Sequence, residues 1–441
     1  MFMVNMSNAS RSAPNNRKEI FAWALYDFAN TSFSVIVVTV VFAVYFRDYI
    51  VGDTPVHLLG LHKNAGDVLW SMAGSLSMFL VAVTSPFLGA AADYSNRKKR
   101  FVFFYSVLCI LSTALLYMPR HGMIWSAMAL FVLANFGFEG SLVFYNAFLP
   151  KIATQETIGK VSGSGFAFGY VGALVSLMIA LYYANQARVL GDITAMAPSF
   201  IWAALFFFVF SLPFYFWVHE PPLIIERKNI NYARIGWLRT VETVKKLKHL
   251  PQLTRFLAAY FIYIDGVNTV MFFGALFATQ TLGFSMVEVI IFFAITQLAA
   301  MGGAYFLGSL SDRIGPKPTV NITLLMWIGV TIGAFFSYDA VTFYIVGMIA
   351  GAAMGASQAA SRVLMAHFIP SGMEAEFYGF YAMMGKFSAI LGPLVFGFIS
   401  GTTGSQRLAV LSISLFFITG YLLLRRVDTR VDYKSIKLSS V

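Results

Sequence analysis

Long apolar runs separated by short polar stretches cover most of this 441-residue chain. A helix needs about 20 mainly apolar residues to cross the hydrocarbon core of a bilayer. An open backbone cannot satisfy its hydrogen bonds in lipid, so such runs are interpreted as helices. The pattern predicts an all-α membrane protein with twelve transmembrane helices, at residues 20–46, 66–92, 101–118, 123–149, 161–184, 196–218, 254–279, 286–310, 318–337, 340–363, 376–400 and 406–425.

The polar stretches divide the chain into two six-helix bundles with a linker and two tails. The linker is basic and begins with two prolines, and it is predicted to carry a short amphipathic helix around Ile235 to Leu250. The predicted divisions are the N-terminal tail 1–19, the first bundle 20–220, the linker 221–253, the second bundle 254–425 and the C-terminal tail 426–441.

Two short motifs occur once in each half. The first is D-x-x-N-T, at Asp27 and Asp265, and the second is G-x-x-x-D followed by basic residues, ending at Asp93 and Asp312. The first pair is offset by 238 residues and the second by 219. The difference falls in the first inter-helix link, where 47–67 is long and its counterpart around 280–288 is short. Two like halves with a site between them are typical of membrane transporters.

Composition and charge agree with a membrane protein. The chain is 58% hydrophobic and 12% charged, whereas about 25% of residues are charged in soluble domains. With both termini on the cytoplasmic side, 25 of the 31 Lys and Arg residues lie in cytoplasmic segments. This distribution predicts a multi-pass protein of the inner (plasma) membrane with cytoplasmic termini. The basic residues are spread over short loops instead of forming one patch, which argues against a nucleic-acid partner.

Several kinds of chemistry are not indicated. The G-x-x-x-x-G-K-[ST] motif of ATP hydrolysis is absent, because Gly159-Lys160 is followed by Val161 and Gly385-Lys386 by Phe387. The single cysteine, Cys109, excludes an internal disulfide and a thiol metal cluster. We therefore expect no enzymatic activity, no cofactor and no metal site.

The repeated loop motif resembles that of the major facilitator superfamily. Four further stretches, 23–33, 144–172, 355–362 and 374–397, are similar to the UMF-type branch that is related to fungal vacuolar amino-acid effluxers. The resemblance implies a transporter that works by alternating access between two six-helix bundles. In such a fold, an acid at a helix end beside arginines can hold the cytoplasmic side shut, so the predicted gating residues are Asp93, Arg97, Asp312 and Arg313.

One departure from facilitator antiporters lies in the fifth helix. Antiporters often carry G-x-x-x-G-P-x-x-G there, and this chain keeps Gly165, Gly169 and Gly172 but has Tyr170 in place of the proline. The glycines predict close helix packing. The tyrosine weakens the inference of antiport.

Ionisable residues inside the predicted spans are the strongest functional signal. Asp27, Glu139, Asp265 and Lys386 fall near mid-depth when about 1.5 Å is counted per residue. Arg362 lies nearer the cytoplasmic end of its span. A charged side chain at the bilayer centre costs about 2.5–3.5 kcal/mol on an insertion scale. Because three acids face one lysine, at least one acid is expected to bind a proton or a substrate cation.

These residues supply the candidate site. Glu139 and Asp265 are the leading proton-coupling candidates, with Asp27 as a third, and Lys386 faces either a substrate carboxylate or an internal acid. The alternative for Asp27 and Asn30 is a structural hydrogen bond from the first helix to the fifth or eleventh. The alternative for Lys386 is a structural ion pair with Asp265 or Glu139. The remaining substrate-binding candidates are amides: Asn30, Asn135, Asn146, Asn268, Gln297 and Gln358.

The sequence thus predicts a secondary active transporter for a small polar solute, with an amino acid or similar zwitterion as the first candidate. Proton-coupled efflux is favoured over symport. The alternatives are a carrier of sugar, nucleoside or peptide-like solutes, and a non-transporting membrane receptor or assembly factor. The expected partners are the solute, protons and the lipid bilayer, and the protein is expected to be a monomer.

Overall fold

The computed structural model describes residues 15–52, 65–220, 232–247, 250–284, 286–389 and 391–430. The N-terminal tail to residue 14, most of the first link, the start of the linker and the C-terminal tail from 431 lie outside the described residues. Within the described ranges, every regular element is a helix. The twelve long helices are α1 Arg17–Val51, α2 Ala65–Ser95, α3 Lys98–Leu115, α4 Ile124–Asn146, α5 Ile158–Leu190, α6 Pro198–Trp217, α7 Pro251–Leu282, α8 Met286–Ile314, α9 Pro316–Phe336, α10 Ala340–Phe368, α11 in two segments Glu374–Ser388 and Leu391–Thr403, and α12 Gln406–Arg425.

The predicted twelve-helix fold is confirmed. Eleven of these helices are long and apolar enough to cross a membrane by themselves. The remaining one, α3, has 18 residues and begins with Lys98, Lys99 and Arg100, which lower its mean hydropathy. Three smaller helices, Leu149–Ile152, Ile193–Met196 and Tyr232–Lys246, complete the described chain.

The helix ends follow ordinary capping rules. Helices α6, α7 and α9 begin at a proline, whose fixed φ suits the first turn and whose missing N–H is not needed there. Helices α5 and α7 end at Gly191 and Gly283, which have φ of +65° and +72°. This left-handed conformation is accessible to glycine without a Cβ penalty, so the chain turns at both positions.

Helix α1 is longer than the predicted span and is not a uniform α-helix. It contains π-helical stretches at Ser34–Val40 and Phe46–Val51. The helix therefore continues past Arg47 to Val51, and the first inter-helix link is shorter than predicted. π-Helical turns are rare and are often found at functional sites.

Helix α11 is broken, where the sequence predicts one span at 376–400. Its first segment ends at Ser388 and its second begins at Leu391. Pro393 lies in the second segment, and a proline ring clashes with the carbonyl four residues before it. That carbonyl belongs to Ala389, so the break falls where Pro393 requires it.

The two halves meet chiefly along two helix pairs. Helix α2 packs against α11, and α5 packs against α8. Within the first half, α1 packs on α5 and α6, and α3 on α4; within the second half, α8 packs on α10, and α7 on α12. We call the side where α1 begins and α12 ends the terminal face. The helix Tyr232–Lys246, here called the linker helix, packs against α2 on this side and lies a few residues earlier than the predicted amphipathic helix.

The halves are closed at the terminal face by backbone contact. A Cβ at Gly89 of α2 would lie 2.3 Å from the carbonyl oxygen of Ala375 on α11. A Cβ at Gly163 of α5 would lie 2.3 Å from the carbonyl oxygen of Ala304 on α8. Only glycine allows helices to approach this closely, so both pairs pack with no side chain between them.

Candidate functional site

A cavity of about 530 Å³ lies between the halves. Helices α1, α4 and α5 of the first half and α8 and α10 of the second supply its walls. It extends from Asp27 and Arg362, near the terminal face, to Thr39 and Leu181, which lie further along α1 and α5 toward the opposite face. The polar lining residues are Asp27, Asn30, Thr31, Ser34, Thr39, Asn146, Tyr170, Gln297, Gln358 and Arg362.

An ion pair that joins the halves forms the floor of this cavity. The Nη1 atom of Arg362 on α10 lies 3.4 Å from Oδ2 of Asp27 on α1. Both side chains are nearly buried, with exposed fractions of 3% for Arg362 and 10% for Asp27. Asn30 donates to the other carboxylate oxygen at 3.4 Å. The charge on each partner is therefore compensated inside the protein.

The guanidinium of Arg362 is held in one orientation. Its Nε donates to Oγ of Ser162 at 2.9 Å, its Nη2 to the carbonyl of Ser162 at 2.7 Å and its Nη1 to Oδ1 of Asn146 at 3.1 Å. The rings of Trp23 and Phe166 lie 4.7 Å and 4.0 Å from the guanidinium carbon. Such stacking suits the planar guanidinium better than the ammonium of lysine.

Two amide side chains of the second half face the cavity above this floor. Gln358 accepts a hydrogen bond from the Tyr170 hydroxyl at 3.0 Å across the two halves. The Oε1 atom of Gln297 is buried and has no hydrogen-bond partner in the described structure. A buried acceptor without a donor costs free energy, so Gln297 is available to a solute that can donate.

Glu139 and Lys386 form a second ion pair between the halves. Nζ of Lys386 on α11 lies 2.5 Å from Oε1 of Glu139 on α4. Their side chains are 26% and 12% exposed. Neither residue lines the 530 Å³ cavity. The sequence leaves two partners open for Lys386, a substrate carboxylate or an internal acid. This geometry matches the internal acid, which is Glu139.

Asp265 is separate from both ion pairs. It is buried, with 1% exposed, and its Oδ2 accepts a hydrogen bond from the backbone N–H of Gly392 at 2.8 Å. Its Oδ1 has no hydrogen-bond partner in the described structure. The carboxylate thus caps the second segment of α11, just after the helix break.

The other predicted substrate-binding residues divide into two groups. Asn30, Asn146, Gln297 and Gln358 line the cavity. Asn135 is buried and donates to Oγ of Ser77 at 2.7 Å, which joins α4 to α2. Asn268 is half-buried on α7 and does not line the cavity. For Asp27, the structural alternative names α5 or α11 as the partner helix. In the structure, the Asp27 side chain pairs with Arg362 of α10 instead.

A buried charge cluster closes the terminal face at the α2–α11 contact. Nζ of Lys98 lies 2.6 Å from Oδ1 of Asp93 in the same half and 2.8 Å from Oε2 of Glu374 in the other half. The side chain of Lys98 is 1% exposed. Asp93 also accepts a hydrogen bond from the backbone N–H of Glu376 at 2.8 Å. The side chain that pairs with Asp93 is therefore Lys98 rather than Arg97.

The α5–α8 contact uses backbone donors instead of an ion pair. Asp312 accepts hydrogen bonds from the backbone N–H groups of Gly159 at 2.6 Å and Lys160 at 2.8 Å. These groups are at the N-terminus of α5, where unpaired N–H groups and the helix dipole favour an anion. Arg313 is exposed and is not among the groups that hold Asp312.

Glu220, which follows α6, caps the start of α3. It accepts hydrogen bonds from the backbone N–H groups of Lys98 at 2.7 Å and Lys99 at 3.1 Å. Burial raises the pKa of Glu220 above its ordinary value, and the two N–H groups act in the opposite direction. The cap fixes the helix end from which Lys98 projects into the charge cluster.

The family follows from these features together with sequence comparison. The family model described as "Vacuole effluxer Atg22 like" matches residues 15–435. The chain belongs to the Atg22-like family of major facilitator transporters. This membership agrees with the repeated loop motif, the glycine-packed helix pairs and the cavity between the halves.

Two relatives show the range of the Atg22-like family. The chain is 30% identical over 426 residues to "Uncharacterized MFS-type transporter YxiO" of Bacillus subtilis, with 94% of this chain and 96% of the relative covered. It is 24% identical over 354 residues to "Autophagy-related protein 22" of Kluyveromyces lactis, with 73% and 71% covered.

A solved structure shows the same fold. The human organic anion transporter MFSD10 (TETRAN) superposes with a TM-score of 0.72 at 13% sequence identity, covering 93% of this chain and 100% of that chain. The match supports the major facilitator fold of this Atg22-like chain. Its relatives and structural neighbours are transporters and not enzymes.

Two residues of this Atg22-like transporter have larger roles than the sequence indicates. From the sequence, Arg362 lies nearer the cytoplasmic end of its span than the other ionisable residues, whereas in the structure it is the cation at the cavity floor. Glu374, which holds Lys98 across the halves, was not among the gating candidates. The signal for Arg362 lies in the stretch GASQAASR at 355–362, where an arginine ends a run of small residues that are mostly buried.

Proposed function

We propose that this protein exports a small zwitterion of the amino-acid type and that proton entry drives the export. The Asp27–Arg362 pair at the cavity floor is the observation that carries the proposal. A carboxylate and a guanidinium, 3.4 Å apart at their nearest atoms, offer one charge of each sign to a solute that has both. Four cavity amides, Asn30, Asn146, Gln297 and Gln358, can add hydrogen bonds.

The cavity walls favour an uncharged solute side chain. Beyond the polar floor, the lining is mainly aliphatic and aromatic, including Leu142, Leu174, Leu177, Phe138 and Phe293. Such walls stabilise apolar groups and provide no counter-ion for a second charge. The solute class that fits both floor and walls is therefore an amino acid with an apolar or aromatic side chain.

Proton coupling is proposed at Asp265. Asp27 has Arg362 as its cation and Glu139 has Lys386, whereas the hydrogen bond that Asp265 accepts comes from a backbone N–H. A buried carboxylate with no cation favours the protonated form. Asp265 is thus the acid for which binding and release of a proton require no ion pair to break.

The proposed direction rests on the family and on charge distribution. The family model is named for vacuole effluxers, and the excess of Lys and Arg on the terminal face favours a cytoplasmic location for that face. We therefore propose a plasma-membrane protein with cytoplasmic termini. With that orientation, the cavity extends toward the outer side of the membrane and the closed terminal face is the cytoplasmic one.

The test is transport by the purified full-length protein in proteoliposomes with an imposed pH gradient. The probes are radiolabelled amino acids with apolar, aromatic, acidic and basic side chains. The expected result is gradient-dependent movement of the apolar or aromatic members. Asp265→Asn should abolish gradient-driven accumulation while solute exchange continues, because exchange needs no net proton transfer. Asp339→Asn, at the exposed start of α10, is the matched control.

Three results would contradict parts of this proposal. Gradient-driven accumulation at the wild-type level by Asp265→Asn would contradict proton coupling at Asp265. Movement of a neutral sugar or nucleoside in preference to any amino acid would remove the zwitterion. A protein that neither moves nor is thermally stabilised by any solute in a broad metabolite screen would be a receptor or assembly factor.

A further inference from the structure

The two contacts that close the terminal face are equivalent by the repeat. At the α2–α11 contact, Asp93 of α2 contacts α11 and Gly379 of α11 contacts α2. At the α5–α8 contact, Asp312 of α8 contacts α5 and Gly163 of α5 contacts α8. In each contact, an aspartate accepts from a backbone N–H at the start of the facing helix. In each, a glycine one turn later packs on a carbonyl, Gly379 on Ser85 and Gly163 on Ala304. Glu376 and Lys160 therefore occupy equivalent positions.

The equivalent positions carry opposite charges. Lys160 is exposed, and its positive charge stabilises the ionised form of the neighbouring Asp312. Glu376 is an acid beside the acid Asp93, and it is fully buried, with 0% exposed. The α5–α8 contact thus places unlike charges together. The α2–α11 contact places like charges together, in a site without water access.

In the described residues, no cation forms an ion pair with the Glu376 carboxyl. Both of its oxygens are buried without a hydrogen-bond partner. The groups that face it are Thr243, Arg239 and Glu242 of the linker helix and Asp93 of α2. The Thr243 hydroxyl and the Arg239 charge favour the ionised form, whereas burial and the two neighbouring acids oppose it more strongly. Arg239 lies over the Tyr94 ring at 5.0 Å, and no ion pair to Glu376 is found in the described structure.

The remaining cation of the contact is already shared. Lys98 is in contact with both Asp93 and Glu374, and Lys151 lies close to Glu374 rather than to Glu376. An ionised carboxylate that is buried without a paired cation is strongly disfavoured. The closed contact therefore accommodates Glu376 as the neutral acid.

We propose that Glu376 is a proton-binding site of the terminal face, occupied when α2 and α11 are in contact and released when they separate. Separation would expose the carboxyl to water, where the ionised form is stable at neutral pH. Because the closed form binds one more proton than the open form, falling pH on this side favours closure. For one proton, the closed-to-open ratio changes by up to about tenfold per pH unit.

This site is distinct from the proposed coupling acid. Asp265 lies on α7 at the break in α11, whereas Glu376 lies at the start of α11 against α2 and the linker helix. The inference needs a terminal face that opens and closes, but it needs neither the zwitterion nor proton coupling at Asp265. Failure of one proposal therefore leaves the other standing.

The test measures closure of the terminal face against pH. Spin labels at Arg100→Cys and Ser371→Cys, both exposed and one in each half, report the separation of the halves in a Cys109→Ala background. Distance distributions are recorded on the full-length protein in lipid nanodiscs between pH 5 and 8. The wild-type labels should show a growing short-distance population as pH falls.

Neutral replacements should remove this response. Glu376→Gln and Glu376→Met, which cannot ionise, should both give the short distance at every pH. Glu156→Gln, an exposed acid of the same face near the start of α5, should retain the wild-type response. The proposal is overturned if the wild-type distances do not change with pH, or if either Glu376 variant keeps the wild-type pH dependence.

Discussion

The guanidinium of Arg362 and the carboxylate of Asp27 meet across the two halves, 335 residues apart in sequence. Arg362 simultaneously binds Asn146 and both the hydroxyl and carbonyl of Ser162. Lysine keeps the charge but cannot satisfy these partners at once. Arg362→Lys should lower transport by at least about tenfold, since about 1.4 kcal/mol corresponds to that factor.

The matched control for this variant is Arg188→Lys, at an exposed arginine near the end of α5. Uptake by both variants is compared at equal reconstituted amounts. Because the cavity floor is proposed to bind the solute, the loss in Arg362→Lys should include weaker solute binding. Wild-type solute affinity in Arg362→Lys would show that the floor does not recognise the solute.

Gly392 provides a test of the Asp265 cap. A Cβ at this position would lie 1.9 Å from Oγ1 of Thr269 and 2.8 Å from Oδ1 of Asp265. Gly392→Ala must therefore separate α7 from the second segment of α11 and weaken the cap. We expect a thermal unfolding midpoint several degrees lower than wild type, on the scale of about 1–3 kcal/mol for overpacking. Gly397→Ala, with no atom within 4 Å of its added Cβ, should unfold as wild type does.

The sequence was sufficient to predict the helices and the two like halves, because the length of an apolar run and the recurrence of a motif are properties of short stretches of chain. It could not show what each charged residue pairs with. Asp27 and Asp265 occupy equivalent positions in the repeat, yet one pairs with Arg362 and the other caps a helix segment. Asp265 lies beside the start of the second α11 segment at Leu391, where the N–H of Gly392 is available, whereas Asp27 lies beside Arg362 of α10. The group with which a buried acid pairs thus depends on tertiary packing, which a short sequence motif does not specify.

Glycines at the closed terminal face should be sensitive to a single methyl group. Gly163→Ala would place a Cβ 2.3 Å from the carbonyl oxygen of Ala304, so α5 and α8 must move apart. We expect the label pair at residues 100 and 371 to shift toward longer distances in this variant. Gly302→Ala on α8, where the added Cβ meets nothing within 4 Å, is the control. Unchanged distances in Gly163→Ala would mean that this contact does not close the face.

Replacing Glu139 or Lys386 alone should lower the stability of the protein more than replacing both. Glu139→Gln leaves the ammonium of Lys386 without its counter-ion, and Lys386→Met leaves the carboxylate, whereas the double variant removes both charges. Breaking a fully buried pair costs about 3–5 kcal/mol, and the partial exposure of this pair reduces that figure. The double variant should therefore be at least as stable as either single variant when thermal unfolding is followed in detergent. Additive losses would indicate that the two charges act independently, and the contact between α4 and α11 would then depend on packing alone.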